Sequence, residues 1–400
     1  MLKYIRFNNF YSFLDETELS FIVGKQPSKS TYDIELNVAN HKDNTRLNKV
    51  LAVVGANGSG KSQLLKSLAF VGWFLVHSIE HQSPIIPFQP FALNQKSPSY
   101  FELGLLVPTE NLTYQEYRYE LEIVEGLVKR EALYHKTSSN FSYIFERSYT
   151  DGTMSYKHKG FIKPSLANDI KASASLINLA SYLDNGIALQ LVAFIKTIST
   201  NLNFQGRISN SNIALTSFAE LLSTDETLKK QTEQLLCQFD TGIQELNFKK
   251  VLVMTDKGQE EVMMPFGIHH CDNSQFEKIF LEESNGTQSA FMLLGKLLPI
   301  LALGGVAVID EIDNDLHPLL LPVILDLFKF SETNPHNAQL VFSCHTPEVL
   351  NHLQKHQVYL VQKDNQQSEA WRLDDVVGVR SDDNLYAKYM SGAFDAIPRV

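Results

Sequence analysis

The apolar run Val50-Leu51-Ala52-Val53-Val54 passes directly into Gly55-Ala56-Asn57-Gly58-Ser59-Gly60-Lys61-Ser62. That order predicts a buried strand, a glycine loop and a helix, and the helix is carried on by Leu64, Leu65, Leu68, Ala69 and Gly72 at helical spacing. A loop of this kind turns backbone N–H groups onto phosphate oxygens, sends its lysine to the β- and γ-phosphates and offers the following hydroxyl to Mg²⁺. Gly55, Asn57, Gly58, Ser59, Gly60, Lys61, Ser62 and the adjoining Gln63 are therefore the candidate nucleotide contacts, with Ser62 as a metal ligand.

The chain has 400 residues, is 44% apolar and carries a formal net charge of −10. That length and apolar content can bury a large core, in two or three domains or in one domain with an insertion. The acidic balance argues against a generally basic surface that wraps nucleic acid, while leaving room for a local basic patch. Cys237, Cys271 and Cys344 lack paired metal-ligand spacing, which fits a reduced, cytoplasmic setting. The start alternates like a strand rather than a secretory leader, and the apolar stretch Ala69 to Ile79 is too short to span a bilayer.

Along the chain, residues 2–21 suggest an opening β-hairpin or meander, and the polar segment from Gly24 to Asn48 reads as a loop. Phe101 to Val107, Tyr117 to Val124 and Leu127 to Tyr134 alternate as antiparallel strands. Helical spacing takes over near Pro164, in Ile187 to Ile198, Ile213 to Leu222 and Leu228 to Phe239, and strand character returns at Glu245. The expected organisation is an N-terminal half over residues 1–163, a helical insertion or lid over 164–244, and a C-terminal half over 245–400.

The C-terminal half holds three further elements. The apolar strand Gly305 to Ile309 ends in Asp310 and Glu311, where open α/β sheets place their ligands. Asp310 is placed to hold Mg²⁺ and Glu311 to orient the attacking water. Ser284-Asn285-Gly286-Thr287-Gln288 opens an apolar helix and forms a second anion-binding element, with Ser284, Gly286 and Gln288 as its contacts. With the first loop already holding the γ-phosphate, this element is expected to close over nucleotide on a second copy, in a head-to-tail sandwich. His345 follows another buried strand and is a candidate γ-phosphate sensor, and Asp313 to Pro318 is the expected contact loop across the dimer.

Phosphate loop, serine-glycine element, Asp310-Glu311 strand, contact loop and His345, in that order, resemble the ATPase head of ABC proteins. The opening Phe7-Asn8-Asn9-Phe10-Tyr11-Ser12-Phe13, the form Glu283 to Gln288 and the ending from Leu385 to Pro398 resemble the soluble RecF/SMC-like branch, and within it bacterial stand-alone AAA-type ATPases related to the OLD nucleases. The resemblance implies an α/β fold, an ABC-type P-loop ATPase head in which a mixed β lobe joins a doubly wound core sheet with a helical insertion. It implies ATP and Mg²⁺, catalytic roles for Lys61, Glu311 and His345, and homodimerisation around ATP that leaves room for higher oligomers.

It also implies a setting, because many such ATPases act in phage defence or abortive infection beside a nuclease. About 55 residues follow His345, too few for a fused Toprim nuclease, so the effector is expected on a separate polypeptide. The insertion is too short for an SMC coiled coil, since its helices reach about 65 Å at most. In such heads a glutamine between the halves ligands Mg²⁺, and Gln89 and Gln95 are both candidates. The leading expectation is an ATP-hydrolysing switch controlling that effector, without a membrane segment. A DNA-binding repair mediator like RecF and an ATP-binding scaffold with little turnover are the alternatives.

Overall fold

The computed structural model describes residues 1–24, 30–42, 44–111, 113–150, 152–203, 206–208, 211–255, 258–271 and 274–397. Pro398, the last residue of the terminal motif, lies outside them. Six strands form the core sheet in the order Ile198–Thr200, Val306–Ile309, Gln339–Ser343, Val50–Gly55, Val358–Asp364 and Gln367–Arg372. The first five run parallel, and the last turns back antiparallel at the edge.

Strand period dictates how this sheet is covered, because alternate side chains point to opposite faces. Leu51, Val53, Val306, Val308, Val341, Tyr359 and Val361 join the core that holds the helix Lys61–His77 and an antiparallel lobe. Ala52, Val54, Ala307, Ile309, Leu340, Phe342, Val358 and Leu360 join the opposite core, under the helices Asn285–Leu303 and Leu320–Lys329. Both faces are buried, so the strands read as continuous apolar runs. The expected α/β head, a β lobe beside a doubly wound sheet, is the architecture found.

The lobe is a seven-stranded antiparallel sheet that includes Leu2–Asn8, Thr17–Ser20, Ser99–Pro108, Tyr114–Val124 and Leu127–Lys136. Gln339, fully buried on a core strand, docks the lobe by imitating a strand backbone. Its amide accepts from Leu2 N at 2.7 Å and donates to Leu2 O at 2.9 Å. Farther along, Tyr359 Oη accepts from Ser20 N at 2.8 Å. Inside the lobe, Arg147 and Glu131 form a fully buried ion pair at 2.6 Å. Glu131 also accepts from Tyr119 Oη at 2.9 Å, Ser175 Oγ at 2.8 Å and Leu176 N at 3.0 Å. Ser175 caps the next helix, Leu176–Tyr182, so one carboxylate fastens the lobe to the helical segment.

Two expectations change. The segment from Gly24 to Asn48 is not a plain loop: Asp33–Leu36 pairs with Thr45–Asn48, and Tyr32, Leu36, Val38 and Leu47 are buried beneath it. The helical segment 164–244 contains a core strand. Its helices Leu176–Tyr182 and Gly186–Lys196 pack on the lobe side, Ile198–Thr200 pairs with Val306–Val308, and Asn212–Thr224 and Glu226–Gln238 pack on the opposite face. The segment wraps the sheet edge, and three residues are too few to show a strand period beside flanking helices.

The helix Asn285–Leu303 is long and apolar enough to cross a bilayer by length and composition, more so than the stretch Ala69 to Ile79. Here it is a core helix, with Phe291, Leu294 and Leu297 fully buried.

Candidate functional site

The phosphate loop leaves its strand at Gly55, where a Cβ would collide with the Val361 carbonyl oxygen of the neighbouring strand. Gly58 and Gly60 take φ of 72° and 116°, conformations that side chains resist, and Gly60 sits at the N-terminus of the helix Lys61–His77. Lys61 is buried, and its ammonium donates to the Gly55 carbonyl at 2.8 Å and the Ala56 carbonyl at 3.0 Å. Burial pushes its pKa below the usual lysine range, against the opposing pull of Cys344, Asp310, Glu311 and Asp313. The Ser59 hydroxyl is buried and has no hydrogen-bond partner among the described residues. An orphaned donor, a buried cation and a helix N-terminus suit a phosphate, and Asp310 beside them suits its magnesium ion.

Gln63 turns away from the loop's mouth. Its side-chain oxygen accepts from Ser12 N at 3.1 Å and also from Ser12 Oγ. Ser12 Oγ meets Ser368 Oγ at 2.6 Å, which donates to the Ser59 carbonyl at 2.5 Å. The opening turn of the lobe, the edge hairpin of the core sheet and the phosphate loop are thus one hydrogen-bonded unit. Ala56 to Ser59 also border a cavity of about 440 Å³ shared with Gln362, Lys363, Asn365 and Asp395.

Asp310 is buried and accepts from Ser343 Oγ at 2.5 Å. The same hydroxyl accepts from Glu311 N at 2.8 Å, so one serine on the adjacent strand sets both acids. Glu311 adopts a φ of 49°, which swings its side chain off the strand line. Its carboxylate lies 3.4 Å from His345 Nε2 and forms an ion pair with Arg207. Asp313 Oδ2 accepts from His345 N at 2.9 Å, Thr346 N at 2.8 Å and Thr346 Oγ1 at 2.6 Å, which fixes the turn carrying His345. Four predicted residues, Lys61, Asp310, Glu311 and His345, therefore stand at neighbouring strand ends.

Ser284 caps the helix Asn285–Leu303, its Oγ accepting from Thr287 N at 3.2 Å. Gly286 is held tightly: a Cβ there would lie 2.9 Å from the Asp315 carbonyl oxygen in the contact loop. Ser289 Oγ donates to Asp315 Oδ2 at 3.3 Å. The serine-glycine element and the contact loop are therefore built as one surface. Gln288 folds back on its own helix start, donating to the Glu283 carbonyl at 2.8 Å.

Of the two glutamines between the halves, Gln89 is tied to the site by its carbonyl, which accepts from Tyr11 N at 2.8 Å beside Ser12. Gln95 is exposed and donates to the Ala92 carbonyl at 3.2 Å. Sequence reasoning missed Ser12, Asn201, Arg207, Ser343 and Ser368, and only the segment Phe7 to Phe13 offered a signal. His269 belongs to no metal cluster among the described residues; it contacts Glu283 Oε1 at 2.8 Å and stacks on Phe276.

Residues 50–351 match the family described as "AAA domain, putative AbiEii toxin, Type IV TA system". The chain belongs to this family. The match to the AAA family opens on the strand before the phosphate loop and closes just beyond His345, so it takes in Lys61, Asp310, Glu311, His345 and the serine-glycine element and leaves out Ser12 and Ser368. None of the curated proteins matches the chain significantly.

Solved structures similar to it include an SMC head bound to the C-winged helix domain of ScpA, at 13% identity and a TM-score of 0.47, covering 93% of this chain and 97% of that one. An Smc head domain with a coiled coil and joint from Pyrococcus yayanosii gives 10% and 0.47, covering 98% and 99%. The SMC head domain from Thermotoga maritima gives 12% and 0.38, covering 93% and 98%. At such scores the architecture rests on strand order and site geometry.

Proposed function

We propose that this AAA-family ATPase binds ATP with Mg²⁺, pairs head to tail with a second copy around two ATP molecules, and hydrolyses them to reset the pair. The observation that carries the reading is the meeting of Lys61, Asp310, Glu311 and His345 at adjoining strand ends, while the serine-glycine element packs on the contact loop. Lys61 holds the β- and γ-phosphates, and Ser59 donates to a phosphate oxygen. Ser62 and Asp310 would hold Mg²⁺, and the ion would supply charge neutralisation on the phosphates. Glu311 takes a proton from the attacking water, and His345 contacts the γ-phosphate oxygen. Ser284 and Gly286 reach the partner's nucleotide.

The output of the switch is control of a separately encoded effector, a nuclease or toxin in antiviral defence, in the cytoplasm. The toxin named in the family description supports that setting.

The test is ATP affinity and steady-state turnover. Lys61→Ala removes a charge-assisted contact and is expected to weaken ATP binding by about 10- to 100-fold. Asp310→Asn is expected to lose the Mg²⁺ dependence of binding. Unchanged affinity in Lys61→Ala would remove the basis of the assignment.

A separate prediction concerns the paired surface. Gly286→Ala puts a methyl group against the Asp315 carbonyl and must push the contact loop aside. ATP-driven association is expected to weaken about tenfold, with ATP affinity of the single subunit unchanged. Sedimentation at graded protein concentration reads it, and an unaltered midpoint would show that this surface takes no part in pairing.

A further inference from the structure

Arg207 lies in none of the motifs, yet its guanidinium forms an ion pair with Glu311, the proposed base. The strand Ile198–Thr200 brings it there. Just beyond that strand, Asn201 clamps the Asp310 backbone twice, accepting from Asp310 N at 2.8 Å and donating to Asp310 O at 2.8 Å. Leu202 and Arg207 then bridge antiparallel, and Ile208 N donates to the Asn201 carbonyl at 2.7 Å. The helical segment therefore touches both acids, Asp310 through a rigid backbone clamp and Glu311 through a long side chain.

The two contacts differ in kind. Asn201 is locked by paired bonds, whereas Arg207 and Glu311 are each about one-third exposed, at 33% and 34%. An exposed pair is weak enough to break without disturbing the fold. While it is made, one carboxylate oxygen of Glu311 is taken by the guanidinium and the other faces His345 Nε2 at 3.4 Å. Each oxygen is thus held on one side, and the carboxylate is fixed in one position while the pair lasts.

We infer that Arg207 is a latch: it parks Glu311 in the lone subunit, and hydrolysis requires the carboxylate to leave it. Resting on the assignment of Glu311 as the base, this makes the helical segment the route by which pairing or a bound partner sets the hydrolysis rate. Arg207 is a positioning residue, acting only through Glu311.

The experiment is steady-state ATP turnover of the full chain for the wild type, Arg207→Ala, Arg207→Lys, Glu311→Gln and the double variant Arg207→Ala/Glu311→Gln. Arg207→Ala is expected to raise kcat about fivefold, the most an exposed pair can hold back, with KM for ATP unchanged. Arg207→Lys, which keeps the charge, is expected to return kcat toward the wild-type value. The double variant is expected to be as slow as Glu311→Gln alone, which places the gain on the base. A kcat in Arg207→Ala equal to or below wild type, with Glu311→Gln inactive, overturns the latch alone. Wild-type turnover in Glu311→Gln overturns both the latch and the assignment beneath it.

Discussion

Glu311→Gln is expected to slow ATP turnover about a thousandfold while leaving ATP binding intact. Glutamine keeps the shape and the backbone contact from Glu311 N to Ser343 Oγ, and it loses the ability to accept a proton. The residues proposed to hold phosphate and Mg²⁺ are expected to be unaffected, since Lys61 is positioned by Gly55 and Ala56 and Asp310 by Ser343 and Asn201. The change should fall on kcat and kcat/KM alike, the signature of a contact made only in the transition state. Single-turnover phosphate release is the direct measurement. A loss confined to KM would mean that Glu311 binds nucleotide and that the base lies elsewhere.

Arg147→Leu is expected to cost about 3–5 kcal/mol of stability, because it leaves the Glu131 carboxylate buried without its counter-charge. Both side chains are wholly shielded from solvent. Glu131 keeps the donors Tyr119 Oη, Ser175 Oγ and Leu176 N, so Glu131→Gln in the same background should recover part of the loss. Urea unfolding of the single and double variants reads both effects. A cost below about 1 kcal/mol for Arg147→Leu would mean that the lobe relaxes to admit water or that the pair contributes little.

The legible parts of this chain are those whose chemistry is contiguous. The phosphate loop joins a strand and a helix that touch it in sequence, and Asp310-Glu311 closes a strand without a charge in it, so both could be placed from residues 50–72 and 305–311. The residues that tune them come from afar. Ser343 reaches Asp310 across 33 positions, Asn201 across 109, and Ser12 reaches Ser368 across 356. Each is a small polar residue whose role exists only after the sheet has formed.

The strand Ile198–Thr200 was hidden for the same reason. Its ladder partner among the described residues lies more than a hundred residues away, and its three residues look like the end of the helix before them. Gln63 has a structural contact that the sequence did not show. Its place beside the phosphate loop suggests a nucleotide contact, and its side chain also reaches Ser12 across 51 positions. In the polar stretch from Gly24 to Asn48, strands of four residues each are too short for alternation to stand out, so the hairpin appears only through its pairing.

ATP is expected to join two copies of this chain, and molar mass by size-exclusion chromatography with light scattering reads the joining. Glu311→Gln, which holds ATP without spending it, is expected to move from monomer to a stable dimer or larger assembly when ATP and Mg²⁺ are added. Lys61→Ala should stay monomeric under the same conditions. One unchanging mass for Glu311→Gln with ATP demonstrably bound would contradict the sandwich and point to a scaffold that binds nucleotide without pairing.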